Sequence, residues 1–212
     1  MSHADVIIDM SYTTILSGTF KDVRDAGISG VIHKAGTGLD KPDQAYFERR
    51  YDAFQAGLLW GAYHVGIKTC NGTEQADAFM DKVRSGAPTG KTLLALDFER
   101  NEMNMTKSML PKQAGEFAQR IREAVGFYPV VYGRGTLIKA VAEHPDSPLC
   151  QCPLWLAHHG EDVPAAPAGW DRWTIWQYTE HGSVGRAILH CDRNRFNGTA
   201  EELAAFWQAH SI

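Results

Sequence analysis

The chain has 212 residues, 44% of them hydrophobic and 22% charged, which is enough to bury a sizeable core in one domain spanning residues 1–212. Its 21 basic and 25 acidic side chains give a formal net charge of −4 without a dense Lys/Arg run, so nucleic acid is not an expected partner. No window of about 18 uninterrupted apolar residues occurs, and we therefore expect no stable membrane insertion.

Short apolar runs alternate with amphipathic segments over the first 150 residues. Buried strands of the parallel kind are predicted at residues 6–8, 30–32, 58–63, 92–96 and 128–132. Helical spacing of apolar residues predicts helices between them: one that begins near Pro42, one across residues 76–83, one from Ala114 that Gly126 ends, and a shorter one around Leu137. Five such alternations predict a parallel sheet with right-handed crossovers.

The pattern changes after residue 150. Residues 154–157, 173–178 and 187–196 resemble strands, but loops rich in Pro, Ala, Gly and Ser connect them. Thr199 and Glu202 form a capping-box pattern that predicts a final helix, with Leu203, Phe206 and Trp207 on one face. The predicted fold is α/β: a distorted TIM-like barrel of eight strands with helical crossovers after the first five, (β/α)5β3.

Acidic residues lie where these strands end. In a β/α barrel the chemistry gathers at the carboxyl ends of the strands, and three strands bring Asp9, Asp97 with Glu99, and Asp192. Crowded carboxylates in a partly apolar pocket shift one another's pKa values apart, as glycoside hydrolysis needs. Taken alone, however, the Asp97-Phe98-Glu99 motif is weak, and a solvated or Arg-paired strand end is the simpler interpretation.

Eight segments together carry more information. They are, in chain order, DMS at 9–11, VIHKA at 31–35, GAYH at 61–64, LDFE at 96–99, VY at 131–132, LWLA at 154–157, WQYT at 176–179 and DRNRF at 192–196. In this respect the chain resembles the family 25 glycoside hydrolases, the CH-type lysozymes, from residue 6 to about 198. The resemblance implies an eight-stranded barrel with five helical crossovers and hydrolysis of the β-1,4 bond between N-acetylmuramic acid and N-acetylglucosamine in peptidoglycan.

The resemblance also assigns roles. It implies that Glu99 is the general acid, that Asp97 is its carboxylate partner, and that Asp9 and Asp192 are acids of the same catalytic cleft. The residues that fall where the family binds its glycan are Tyr63, Tyr132, Trp155, Gln177 and Lys34. Neither a cofactor nor a metal ion is predicted. The chain departs from the family pattern at His158-His159, after the strand-six Ala157, and in the glycine-rich stretch 34–38.

The stereochemical outcome is not decided by spacing. The Cα atoms of Asp97 and Glu99 are expected to lie about 6.5–7 Å apart on one strand face, between the carboxyl separations typical of retaining and of inverting enzymes. The 2-acetamido group of N-acetylmuramic acid offers an internal nucleophile. We therefore predict net retention with assistance from the substrate.

The expected partner is the glycan strand of peptidoglycan, which lies outside the cytoplasm, and we expect a monomer. The start MSHADVIIDMS has neither a basic leader nor a long apolar segment. Such an enzyme would act as an antibacterial effector exported by a specialised route, as a phage lysin released by a pore, or with a leader outside this sequence. The sequence identifies no immunity or delivery partner.

Three alternatives are weaker. A metal-dependent hydrolase could use histidines with Asp9 or Asp192, but no HxH or HExxH spacing is present. A chitinase-like hydrolase would have a further acid at the position of Ala95. A non-catalytic glycan-binding module on the same fold would be expected to have lost an acid, and all four are here. Four cysteines with no disulfide or zinc spacing are predicted to be reduced thiols: Cys70, Cys150, Cys152 and Cys191.

Overall fold

The computed structural model describes residues 3–86, 90–100 and 107–212. The strands in these residues are β1 Ala4–Met10, β2 Gly30–Thr37, β3 Lys41–Pro42, β4 Leu59–Val65, β5 Thr92–Asp97, β6 Val130–Gly133, β7 Leu154–Ala157, β8 Ile175–Val184 and β9 Ile188–Phe196. The α-helices are α1 Phe20–Asp25, α2 Tyr46–Gln55, α3 Gly72–Arg84, α4 Pro111–Val125, α5 Gly135–Glu143 and α6 Ala200–Ala209, and a 3-10 turn covers Pro148–Gln151.

Eight of these strands close into a barrel. The hydrogen-bonded order runs β1, β2, β4, β5, β6, β7, β8, β9 and back to β1, and each of α1 to α5 connects two parallel neighbours. The predicted eight-stranded barrel with crossovers after the first five strands is confirmed. The sequence did not indicate the direction of the last strand: β9 runs antiparallel to both β8 and β1.

Alternation along each strand divides the apolar residues into two layers. The barrel interior holds one buried cluster: Ile7, Ile32, Leu93, Ala95, Val130, Trp155, Ile175, Phe196, Leu203 and Trp207. Their sequence neighbours point outward and pack against the helices, as Ile8, Val31, Leu94 and Val131 do. Because side chains on a strand alternate between faces, these two layers fix which residues reach the interior.

Helix α6 closes the barrel at the amino ends of its parallel strands. Thr199 caps the helix through the predicted capping box with Glu202. The indole of Trp207 enters the interior, where its Nε1 donates to the carbonyl oxygen of Trp60 at 2.8 Å. Gly30 and Gly61 leave room for that ring, since a Cβ at either position would come within 3.0–3.2 Å of it. We call this the closed end of the barrel.

Of two local predictions about helix ends, one is confirmed and the other is wrong. Gly126 ends α4 in the left-handed conformation, with φ 93°, as predicted. The expected helical turn at Pro42 is wrong, because Lys41 and Pro42 form the short strand β3 against Thr37 and Gly36, and α2 begins only at Tyr46. A proline at the edge of a sheet costs no ladder bond, so the same residue suits either position.

Candidate active site

A cavity of about 210 Å³ lies at the opposite end of the barrel, which we call the open end. Its lining residues are Asp9, Tyr63, Asp97, Glu99, Tyr132, Trp155, Gln177, Glu180 and Asp192. All four predicted acids and four of the five predicted glycan-binding residues therefore lie together. The fifth, Lys34, lines a neighbouring cavity of about 350 Å³.

Strand register explains how the acids converge. Asp9 and Asp192 are direct partners across the antiparallel pair β1–β9, and Asp97 is the last residue of β5. Phe98 is fully buried in the outer layer, and its N–H donates to the carbonyl oxygen of Tyr132 at 3.0 Å, which leaves Asp97 and Glu99 on the cavity side. Asp192 thus reaches the cavity from the middle of β9, which runs antiparallel to β1.

Asp9 is held by two amides. The Nδ2 of Asn194 and the Nε2 of Gln177 each donate to its Oδ2 at 2.9 Å, while the Nε1 of Trp155 donates to the Oδ1 of Asn194 at 2.7 Å. The hydroxyl of Tyr132 donates to the Oε1 of Gln177 at 2.8 Å. These side chains fix the direction in which the amide N–H groups point, so Asp9 has an ordered set of donors.

Burial and crowding change the protonation of the acids. Burial first, and then the charge of Asp9, raise the pKa of Asp192 to about 9. Burial also raises the pKa of Asp9, although hydrogen bonds from Asn194, Gln177 and Asp192 oppose that shift. The two carboxyl groups hydrogen-bond to each other, so the pair favours holding a proton between them.

The second pair of acids behaves similarly. Burial, followed by the charge of Glu99, raises the pKa of Asp97 well above its usual value, whereas the charge of Lys34 lowers it. The expectation that crowded carboxyls shift one another's pKa values agrees with this direction for Asp97. The Oε1 of Glu99 lies 3.8 Å from the Nε of Arg134, and both side chains are partly exposed, so this ion pair is weak.

Aromatic side chains form the floor and one wall of the cavity. The ring of Trp155, 2% exposed, lies at the bottom, with Tyr132 edge-on at 4.7 Å and Tyr63 edge-on at 6.4 Å between ring centroids. Tyr63 and Tyr132 are only partly covered. They offer apolar faces and hydroxyl groups of the kind that contact sugar rings.

Sequence reasoning missed four residues of this site. Glu180 lines the cavity, His159 lies 3.2 Å from the Oε1 of Gln177 and 3.8 Å from Glu180, Asn194 binds Asp9, and Arg134 faces Glu99. Of these four residues, only Asn194 could have been predicted from the sequence, since it lies two residues after Asp192 and therefore on the same strand face. The others enter from loops and from an extension of β8 beyond the predicted strand.

Besides the neighbouring cavity of about 350 Å³, two still larger cavities of about 590 and 520 Å³ lie outside this site, and none of the three contains a predicted catalytic acid. Volume alone does not identify the candidate site, because none of these larger cavities brings together the acids that line the smaller one. Within the described residues, no group of three His, Cys, Asp or Glu side chains is arranged to hold a metal ion. In the same residues no helix is both long and apolar enough to cross a membrane.

Comparison with known proteins agrees with this geometry. Lysozyme M1 of Streptomyces globisporus is 29% identical over 193 residues, which cover 88% of this chain and 66% of that protein. The crystal structure of the bacterial lysozyme from Streptomyces coelicolor is 28% identical, with a TM-score of 0.77 over 93% of this chain and 94% of that one. The muramidase structure from Acremonium alcalophilum is 25% identical, with a TM-score of 0.79 over 95% and 98%.

The chain spans about two thirds of the length of the curated relatives it matches. The profile described as Glycosyl hydrolases family 25 matches residues 8–186, which include Asp9, Asp97 and Glu99 but end before Asp192. Fold, site geometry and profile agree, and the chain belongs to glycosyl hydrolase family 25.

Proposed function

We propose that the chain is a muramidase, with residues 1–212 as a single catalytic domain, and that it cleaves the β-1,4 bond between N-acetylmuramic acid and N-acetylglucosamine in peptidoglycan. One observation carries the proposal: Asp9, Asp97, Glu99 and Asp192 line one cavity at the open end of a family 25 barrel. The lysozymes and muramidases to which the chain is similar support it.

Glu99 fits the role of general acid. Its side chain is 32% exposed at the edge of the cavity, where it can reach the oxygen of a bound glycosidic bond. Asp9 fits the role of a negative charge deeper inside, because hydrogen bonds from Asn194, Gln177 and Asp192 favour its ionised form against the effect of burial. That charge would stabilise an oxocarbenium-like transition state.

Retention with assistance from the substrate remains part of the proposal. The acetamido oxygen of N-acetylmuramic acid would attack the anomeric carbon, and water would then open the cyclic intermediate. Asp97 or Asp192 would orient the acetamido N–H, since even a protonated carboxyl accepts a hydrogen bond through its carbonyl oxygen. This route needs no protein nucleophile and is compatible with the raised pKa values of Asp97 and Asp192.

Mass spectrometry of a peptidoglycan digest tests the activity. Soluble muropeptides that end in reducing N-acetylmuramic acid are expected, and products that end in reducing N-acetylglucosamine would contradict the bond assignment. Glu99→Gln is expected to lower turnover at least about 100-fold without unfolding the protein. The matched control is Glu143→Gln, an exposed residue of α5 that lies outside the cavity. Near-normal activity of Glu99→Gln would reject its role.

Two further measurements test the chemistry. Proton NMR of the first product is expected to show the β-anomer, whereas an initial α-anomer would contradict retention. Efficient cleavage of glycans that lack the N-acetyl group on the muramic residue would contradict the assisted route. Activity should persist in EDTA, and its loss with recovery on adding zinc would contradict hydrolysis without a metal.

The place of action follows from the substrate, which lies outside the cytoplasm. We propose no export route beyond the alternatives of a specialised secretion path, release through a pore or a leader outside this sequence. A monomer is expected by light scattering. Tight binding of glycan with no product at any enzyme concentration would instead indicate a non-catalytic module.

A further inference from the structure

A second cavity adjoins the catalytic one and has the opposite charge. It measures about 350 Å³ and is lined by Tyr12, Lys34, Thr37, Lys41, Pro42, Asp43 and Gln44. Neither Lys34 nor Lys41 has an ion-pair or side-chain hydrogen-bond partner among the described residues. The oxygens of Asp43 already accept the backbone N–H groups of Tyr12 and Ala45, each at 3.0 Å. Asp43 is thus already engaged by backbone donors, and the two ammonium groups supply the positive charge of this cavity.

The hairpin β2–β3 places Lys41 there, and a glycine allows the hairpin. A Cβ at Gly36 would lie 2.7 Å from the carbonyl oxygen of Lys41, so a larger residue would push β3 away. Thr37 pairs directly with Lys41. The glycine-rich departure from the family pattern therefore has a structural consequence in this chain: it brings Lys41 into the second cavity, beside Thr37.

Strand register places the two cavities side by side. Ile32 is the partner of Asp9, and Lys34 lies two residues further along the same face of β2, which is about 7 Å at the usual rise per residue. Lys34 is also the register partner of Tyr63, which lines the catalytic cavity. A substituent of a bound sugar could reach from one cavity to the other through two extended residues, which span about 7 Å.

We propose that this lysine cavity, defined by Lys34 and Lys41, binds a carboxylate of the acidic peptide that N-acetylmuramic acid carries on its lactyl group. The inference rests on the proposed muramidase function. Among the described residues, five acidic side chains and no basic side chain line the catalytic cavity, so a carboxylate of the peptide would bind unfavourably there. The adjoining cavity offers the complementary charge, so it gives the peptide-bearing glycan a preferred orientation and a higher affinity.

Binding can be measured apart from turnover. Calorimetry with the Glu99→Gln protein compares a soluble peptide-bearing disaccharide with the same disaccharide without peptide. We expect the peptide-bearing form to bind about three- to fivefold more tightly, as suits a partly exposed ion pair, and the difference to shrink with added salt. A muropeptide whose free carboxylates are amidated should bind like the peptide-free form.

Variants identify the cavity. In the same background, Lys41→Met is expected to abolish the preference, and Lys41→Arg to keep it. Lys91→Met is the matched control, an exposed lysine that precedes β5 at the closed end of the barrel. Equal affinity for both ligands before mutation, or a preference that survives Lys41→Met, would overturn the inference. Hydrolysis by the unmodified protein reports separately on the muramidase proposal, since cleavage without any preference refutes only the lysine cavity.

Discussion

The open and closed ends of the barrel interior use the same strands for opposite purposes. At the closed end, Gly30 and Gly61 admit the indole of Trp207, and the interior is filled by apolar side chains. At the open end, β1, β5 and β9 place Asp9, Asp97 and Asp192 where burial raises the pKa of each. One end therefore stabilises the fold, whereas the other buries carboxyl groups at a cost in stability.

The largest effect is expected from opening the closed end. Trp207→Ala removes a side chain that is 2% exposed, together with its hydrogen bond to Trp60. We expect the free energy of unfolding to fall by about 3–5 kcal/mol, because a large cavity forms that backbone-restrained glycines cannot fill. Urea titration measures this loss, and Gln208→Ala, exposed on the same helix, is the control.

Turnover should separate the two ends. Where Trp207→Ala is still folded, its activity per folded molecule is expected to stay near that of the unmodified protein, because the acids lie at the other end. An activity loss comparable to that of Glu99→Gln would show that the closed end also positions the catalytic residues.

Some features of the two ends could be predicted from the sequence, and others could not. Continuous apolar runs identified strands such as β5 and β7, and the Thr199 capping box identified α6. Strand direction is not a local property, so the reversal of β9 was invisible. The two-residue strand β3 is too short to leave a periodic pattern, and Pro42 was consequently misread.

The site shows the same limit. Asp9 and Asp97 follow from the strand-end rule, and Asn194 could have followed from its spacing to Asp192. His159, Glu180 and Arg134 could not, since their positions depend on how loops and the long β8–β9 hairpin fold over the barrel. The pKa shifts were equally hidden, because they depend on burial. The family resemblance implied that Glu99 is the general acid, whereas burial in the structure raises the pKa of Asp97.

Removing one buried acid at the open end is expected to have an intermediate effect. The pKa of Asp192 is about 9 in the folded protein against an ordinary 3.8. Between these values the folded state binds a proton that the unfolded state has lost, so stability falls as pH rises. Asp192→Asn should flatten this decline by about one proton per molecule and make the protein more stable at pH 8, while turnover decreases.

Denaturant titration from pH 5 to pH 9 measures that slope. Asp171→Asn, in an exposed loop, should leave it unchanged. Identical slopes for Asp192→Asn and the unmodified protein would mean that Asp192 is already ionised at neutral pH, and that the hydrogen bond to Asp9 does not hold its proton.

The smallest expected effect concerns a histidine outside the barrel interior, whose pH dependence has the opposite sign. His64 stacks on Phe117 with ring centroids 5.3 Å apart, and its Nε2 lies 3.3 Å from the Oε1 of Gln75. Burial lowers its pKa to about 4 from 6.5, so between these values unfolding takes up a proton and stability falls as pH drops. His64→Gln should lower the free energy of unfolding at pH 7 through poorer packing. Below pH 6.5, however, its stability should decline less steeply with falling pH, because unfolding takes up about one proton fewer.

His190→Gln, exposed on the β8–β9 hairpin, serves as the control. If the slope of stability against pH below 6.5 is the same in His64→Gln as in the unmodified protein, protonation of His64 is not the origin of the loss of stability at low pH.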